Sequence, residues 1–324
     1  MKIFLAGNTI FPVYIAPILL GGGGPDVDET ISGKPAHPTK IPERPANVSN
    51  PVRGGGGLSP DEDISCGPGR MREERDQCDC SWPGSPHGGV GGGYDPIIRE
   101  HKPFILESFF YADSDTERLL PYYGDFMLDS GAFTFMQQAG KDTDWNEYAS
   151  RYVDFINRND VKKYIELDLD YIIGCEGARK LRRFLEKKTG KQSIPVWHPI
   201  RGKDEFLRMC DEYDYVCLGG IVGQKWRGVE QYMPWFIREA HKRHTKIHGL
   251  GFTKLTKLPE YHFDSVDSTA WTTGNRFGYL YFFDGKTMIK KDVPKGYRLA
   301  DSRAVALHNY SEWIKFQKWA ETHL

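Results

Sequence analysis

Two hydrophobic rhythms alternate along this chain. Short apolar runs with polar ends recur at 2–7, 104–111, 125–133, 164–170, 194–200, 215–221, 246–252 and 262–269, and each predicts a buried strand. Helical periodicity fills several of the gaps. After Asp144 and Glu147, Trp145, Tyr148, Ala149, Tyr152, Phe155 and Ile156 share one helical face. Further helices are expected at about Cys175–Lys188, Asp204–Cys210 and Val229–Arg243. Strand–helix alternation at this spacing implies right-handed βαβ units and a parallel sheet. About eight strand candidates favour a closed (β/α)8 TIM-type barrel over an open doubly wound sheet, and no glycine-rich dinucleotide fingerprint follows the first strand. A hairpin is expected from Tyr279–Phe283 and Thr287–Lys291 around Asp284-Gly285. A helix from about Ser302, capped by Asp301, closes the chain and places Ala306, Leu307, Tyr310, Trp313 and Ile314 on one face.

One stretch breaks the rhythm. Residues 21–94 carry three glycine runs and many prolines, with almost no apolar periodicity. Such a segment cannot offset its ordering entropy by burial, so a mobile insertion within a single 1–324 barrel domain is expected.

Composition narrows the classes. Hydrophobic residues make up 39% and aromatic residues 13% of the chain. No apolar run approaches the ~20 residues of a membrane span, so no membrane partner is expected. Residues 1–20 are apolar but lack a basic n-region and a clean cleavage site, which disfavours a signal peptide. Cys66, Cys78, Cys80, Cys175, Cys210 and Cys217 are scattered, with Cys175 and Cys217 in strand-like or apolar stretches. That usage fits a reducing cytoplasm rather than a disulfide framework. The net charge of -1 hides an asymmetry: the first hundred residues are acidic and the remainder mildly basic, which permits a nucleic-acid partner.

In a parallel barrel, functional groups come from the carboxyl ends of different strands. Here those ends read Asp129-Ser130-Gly131, Asp168-Leu169-Asp170, His198, Gly219-Gly220, His248-Gly249-Leu250-Gly251 and Asp267-Ser268. A lone aspartate there is usually a cap, but six such ends on one rim describe a site. Two carboxylates facing one pocket can divide nucleophilic attack and proton transfer between them, as in retaining glycosyl transfer. Asp264 competes with Asp267, but alternation puts the two on opposite faces of a strand. Asp170 shares a face with Asp168, which leaves a supporting role open.

Asp129-Ser130-Gly131-Ala132-Phe133 resembles the Asp-Ser-Gly-Gly-Phe motif of the tRNA-guanine transglycosylase superfamily. Leu167-Asp168, Gly219-Gly220-Ile221-Val222-Gly223, Ile247-His248-Gly249-Leu250-Gly251 and Val266-Asp267-Ser268-Thr269-Ala270-Trp271 are similar to its later motifs, in the family's order. The resemblance covers about residues 125–278 and the first strand. It implies a (β/α)8 enzyme that exchanges guanine in a nucleic acid for a free 7-deazaguanine. By the same resemblance Asp267 attacks C1′ and Asp129 is the general acid/base. Asp168 binds the base's amino-pyrimidine edge with backbone groups of Gly219 and Gly220, His248 and Gly249 lie beside the base, and Ser130 and Gly131 shape the turn.

The chain departs from that pattern. Trp197-His198-Pro199 stands where the bacterial branch has a glutamine, which leaves the part of His198 open. The family's C-terminal zinc cysteines are missing, since no cysteine follows Cys217. A barrel without these parts resembles the DNA-guanine transglycosylases of bacteriophages. That points to DNA and a base such as 7-cyano-7-deazaguanine, protection of phage DNA from restriction, a host-cytoplasmic setting and no catalytic cofactor. A tRNA substrate, a nucleic-acid-binding barrel without catalysis and an unrelated barrel hydrolase remain the alternatives. Cys66, Cys78, Cys80 and His87 could supply a relocated zinc site, weighed against unpaired loop thiols. Arg179, Arg182 and Arg183 on the basic helix, with Arg227 and Lys254 after later strands, are the candidates for phosphate contact.

Overall fold

The computed structural model describes residues 1–7, 15, 95–132, 134, 143–220, 230–252, 254–277, 279–292 and 302–324. The expected insertion 21–94 therefore lies almost wholly outside the described residues. Seven strands form one parallel sheet: β1 (Lys2–Ala6), β2 (Phe104–Ser108), β3 (Asp125–Asp129), β4 (Val196–Trp197), β5 (Tyr215–Leu218), β6 (Lys246–Gly249) and β7 (Ser265–Ser268). Their spatial order is β3-β2-β1-β7-β6-β5-β4, every pairing parallel, and the sheet curls as a half-barrel. Both edges of that sheet bond to one further piece of backbone. Leu128 N donates to Lys163 O (3.0 Å) and Ile165 N to Leu128 O (2.8 Å) on the β3 side. On the β4 side Ile194 N donates to Tyr164 O (2.8 Å) and Glu166 N to Ile194 O (3.0 Å).

Helices cover the outside. Those that position the site are α1 (Ile97–Glu100), α2 (Ser114–Leu119), α3 (Trp145–Arg158), α4 (Asp170–Thr189), α5 (Gly202–Glu212), α6 (Met233–Lys242), α7 (Leu258–Tyr261) and α8 (Gly274–Phe277). The expected start of α3 holds: Asp144 accepts from Asn146 N (2.9 Å) and Glu147 N (3.2 Å), satisfying amides a helix leaves open at its first turn. The hairpin is β8 (Tyr279–Phe283) with β9 (Met288–Asp292), antiparallel as expected. The last helix, α9 (Ser302–His323), buries Ala306, Tyr310, Trp313 and Ile314. Its expected cap, Asp301, lies outside the described residues.

Period-2 alternation sorts each strand into an inner and an outer row. Phe4, Leu106, Met127, Ile165, Val196 and Cys217 fill the interior, while Ile3, Leu5 and Ile105 face the helices. Continuing the inner rows upward brings Asp129, His198, Gly219, His248 and Asp267 to the carboxyl end, because each lies an even number of residues beyond an inner position or is paired with one in register. Every strand is shorter than the apolar run that predicted it, and two are cut back most. The run 164–170 makes only isolated parallel bridges, at Tyr164 and Ile165, since Leu169 N folds back to Leu167 O (2.9 Å) and Asp170 opens α4. The run 194–200 is strand only at Val196 and Trp197, and Pro199 begins a 3-10 turn.

Candidate active site

Asp129 ends β3, and the turn after it is built around its own carboxylate. Oδ2 accepts from Gly131 N at 3.0 Å. Gly131 sits at φ 70°, and a Cβ there would meet Ser108 Oγ at 2.6 Å and Phe110 N at 2.7 Å, so glycine alone fits. From outside, the Tyr148 hydroxyl donates to Ser130 O at 2.6 Å. Ser130 is buried and shapes this turn. Asp129 is pushed up to about 7, first by loss of hydration and then by the charge of Asp168, with Asp267 adding less. Part of the Asp129 surface stays open at the rim, so water tempers this effect.

Asp267, on β7, is 5% exposed and held through one oxygen. Oδ1 accepts from Gly251 N at 2.6 Å and from His248 Nε2 at 3.2 Å. Behind it runs a buried chain: His248 Nδ1 meets Ser265 Oγ, which in turn meets the Tyr215 hydroxyl. A ring that donates through Nε2 to Asp267 can accept at Nδ1 from the Ser265 hydroxyl, which can accept in turn from that of Tyr215. His248 is fully buried and backs Asp267, the carboxylate its Nε2 meets. Asp264 is elsewhere. Its Oδ2 accepts from Ile247 N (2.8 Å) and pairs with His241 Nε2 (3.0 Å) on the outer face, as alternation required.

The third carboxylate is Asp168, whose Oδ2 lies 3.1 Å from His198 Nε2. Gly219 leaves room for that imidazole: a Cβ at 219 would come within 2.5 Å of His198 Cε1 and 2.6 Å of Val196 Cγ1. The Gly219 N–H is spent on Trp197 O (2.9 Å), while Gly220, at φ 71°, stands exposed. Gly249 is buried against Phe252 and Phe263. The three carboxylates converge. The buried Cys217 thiol below them is pushed well above its usual range by burial, and then by the charges of Asp267, Asp129 and Asp168 together. It remains a protonated core thiol, not a nucleophile.

No protein-family model matches the chain, and no curated protein matches its sequence.

The basic candidates divide. Arg182 is 1% exposed and faces Glu166 at 3.6 Å, so it is no surface cation. The sequence placed it with the outward arginines, but it joins the inward face of α4, where the buried Glu166 lies opposite. Arg179 pairs with Glu176 and Glu205, and Arg183 with Glu186 and Glu212. Lys254 is exposed and, with Lys257, Thr269 and Thr273, lines an open cavity of about 610 Å³. Arg227 lies outside the described residues, as do Cys66, Cys78, Cys80 and His87. Among the described residues no group of three or more His, Cys, Asp or Glu could hold a metal ion, and no helix is long and apolar enough to cross a membrane.

Sequence reading missed two parts of the rim. Tyr171 is 65% exposed, with its ring centroid 6.0 Å from that of His198. Beneath it, Glu166, Asp170, Arg182 and Arg201 form a buried ionic cluster. Only the chain positions of the charges are legible without coordinates, and nothing in their spacing marks them as partners.

Proposed function

We propose that this protein is a base-exchanging transglycosylase that replaces guanine in DNA with a free 7-deazaguanine such as 7-cyano-7-deazaguanine. The observation that carries the reading is the unlike setting of two facing carboxylates. Asp267 is oriented by two hydrogen bonds on one oxygen, and Asp129 is pushed up to about 7. In this reading the sheet is a complete (β/α)8 barrel, with residues 164–166 as its eighth strand between β3 and β4.

The chemistry follows from those settings. Asp267 attacks C1′ of the target nucleotide, the C1′–N9 bond breaks with its electron pair leaving on the purine, and protonated Asp129 supplies the proton that neutral guanine needs. Guanine departs and a 7-deazaguanine enters. The ionised Asp129 now takes the incoming N9 proton, N9 attacks C1′, and the bond to Asp267 breaks, so both carboxylates return to their starting states. A group near pKa 7 serves both halves because neither proton transfer is steeply uphill at neutral pH. Asp168 accepts from the N1–H and exocyclic amine of the purine edge, with Gly220 and the carbonyl of Gly219 alongside. The target base must leave its stack to reach this depth.

Incubating the protein with guanine-containing duplex DNA and a labelled 7-deazaguanine tests the proposal. Label should enter DNA with wild-type protein and not with Asp267→Ala. Label entering tRNA and not DNA would replace the substrate. No incorporation into either would remove the proposed reaction.

A further inference from the structure

We propose that Arg201, bridging Glu166 and Asp170, is a positioning residue that fixes the Asp168–His198 pair and so sets how tightly the site holds the base it reads. The inference rests on the base-exchange reading for its kinetic consequence, but its structural consequence can be measured without any reaction.

The geometry is a bracket. Arg201 Nη1 reaches Glu166 Oε1 at 2.7 Å, and Nε reaches Asp170 Oδ1 at 2.9 Å. Glu166 Oε1 also accepts from Val196 N at 2.6 Å, and Arg182 faces Glu166 Oε2 from α4. Glu166 and Asp170 stand two residues before and two after Asp168, and Arg201 stands three after His198. One guanidinium therefore clamps both ends of the Asp168 turn to the turn that carries His198. The side chains of Glu166 and Asp170 are fully buried and those of Arg182 and Arg201 nearly so.

Stability alone does not account for this cluster. Removing two carboxylates and two guanidiniums from water is costly for each ion, and apolar residues of similar volume commonly do as well or better. A planar guanidinium does something they cannot: its fork fixes the direction as well as the distance of each partner. The fixed direction matters here because the segment between the two anchors is not regular structure. Asp168 lies between the last strand bond at Glu166 and the first turn of α4, and that turn is set off from the rest of the helix by Gly174 at φ 72°. Without the bracket, no strand ladder or continuous helix holds Asp168 against His198.

Two measurements decide the matter. The first is a 15N–1H correlation spectrum of the histidine rings, assigned with His198→Gln. In the wild type the Nε2 of His198 faces a carboxylate, so the ring should hold one tautomer with its proton on Nε2. Asp170→Asn, which keeps the Glu166–Arg201 contact, and Arg201→Met should each let the two ring nitrogens average. Arg201→Lys should restore part of the fixed tautomer. An unchanged His198 ring in folded Asp170→Asn and Arg201→Met would overturn the proposal. The second is the exchange reaction itself, in which KM for the incoming base should rise roughly tenfold or more in Asp170→Asn with kcat changed less. Equal falls in kcat with KM unmoved would also overturn it. A wild-type protein that exchanges no base would instead remove the enzymatic reading, and the tautomer result would still judge the bracket.

Discussion

At the residue scale, what separates Asp129 from Asp267 is environment. Asp129 ionises near 3.8 in the unfolded chain and near 7 in the fold. Between those values the native state keeps a proton that the unfolded state releases, so this residue's contribution to stability falls as pH rises from about 4 to about 7. Asp129→Asn should therefore be relatively more stable than wild type at pH 8 than at pH 4.5. The difference is bounded by roughly 1.4 kcal/mol per pKa unit and reduced by water at the rim. Urea denaturation at the two pH values measures it, and a pH-independent difference would contradict this account of Asp129. The same shift has a kinetic face. In the proposed reaction, single-turnover release of guanine should slow as pH rises through about 7, because expulsion there draws on the protonated Asp129.

Behind Asp267, Ser265→Ala should cut the proposed exchange several-fold without unfolding the protein, since the buried hydroxyl meets the His248 ring that backs the nucleophile. Steady-state kinetics beside a thermal melt will separate the two effects. Of these residue-level features, the identities of Asp129, Asp168 and Asp267 were legible because each ends an apolar run. The placement of His248 was legible only in part. Its even spacing within β6 puts it inside, but its burial beneath Asp267 depends on the register between β6 and β7, which is a long-range pairing.

At the element scale, the ends of the strands are shaped by where glycine replaces a side chain. Gly219 is the sharpest case, with His198 and Val196 both closer than a Cβ allows. Gly219→Ala must displace the imidazole, so weakened binding of a free 7-deazaguanine is expected, with a loss of stability of about 1–3 kcal/mol from overpacking. Isothermal titration and chemical denaturation report the two effects separately, and a variant that binds and unfolds as wild type does would contradict the assigned geometry. The parallel order of the sheet was legible from the alternation of apolar runs and helical periodicity. The lengths of the strands were not, and two runs miss by the most. The apolar runs at 164–170 and 194–200 continue past the true strand ends, because Asp170 is drawn to Arg201 and Pro199 cannot continue a ladder. Arg182 shows a different limit in a helix: its spacing, four after Ala178 and three before Leu185, fits the buried face, but its charge points outward until the buried Glu166 opposite it is known.

At the scale of the whole molecule, the two ends of the chain meet. Gln317 of α9 donates through Nε2 to Ile3 O (2.5 Å) and Phe104 O (3.2 Å) and accepts from Phe104 N through Oε1 (3.0 Å), while Trp271 Nε1 donates to Ala6 O (2.8 Å). One buried amide thus joins the last helix to β1 and β2. Gln317→Leu should destabilise the protein by about 2–5 kcal/mol, because it leaves several buried backbone groups without partners. A shift in the urea midpoint at unchanged m-value will test this, and a variant within 0.5 kcal/mol of wild type would contradict it. This contact spans 314 residues and no local pattern announces it. Sequence periodicity could indicate that the closing helix has a buried face, but not which strands it ties together.

The central claim is that Asp267 becomes bonded to a nucleotide from which guanine has left. Wild-type protein and a guanine-containing oligonucleotide, mixed without an incoming base and quenched in denaturant, test it by intact mass. The account predicts an adduct of protein plus oligonucleotide less one guanine, mapping to the peptide that contains Asp267 and absent from Asp267→Ala. Base exchange with no such adduct, or an adduct on another residue, would contradict it.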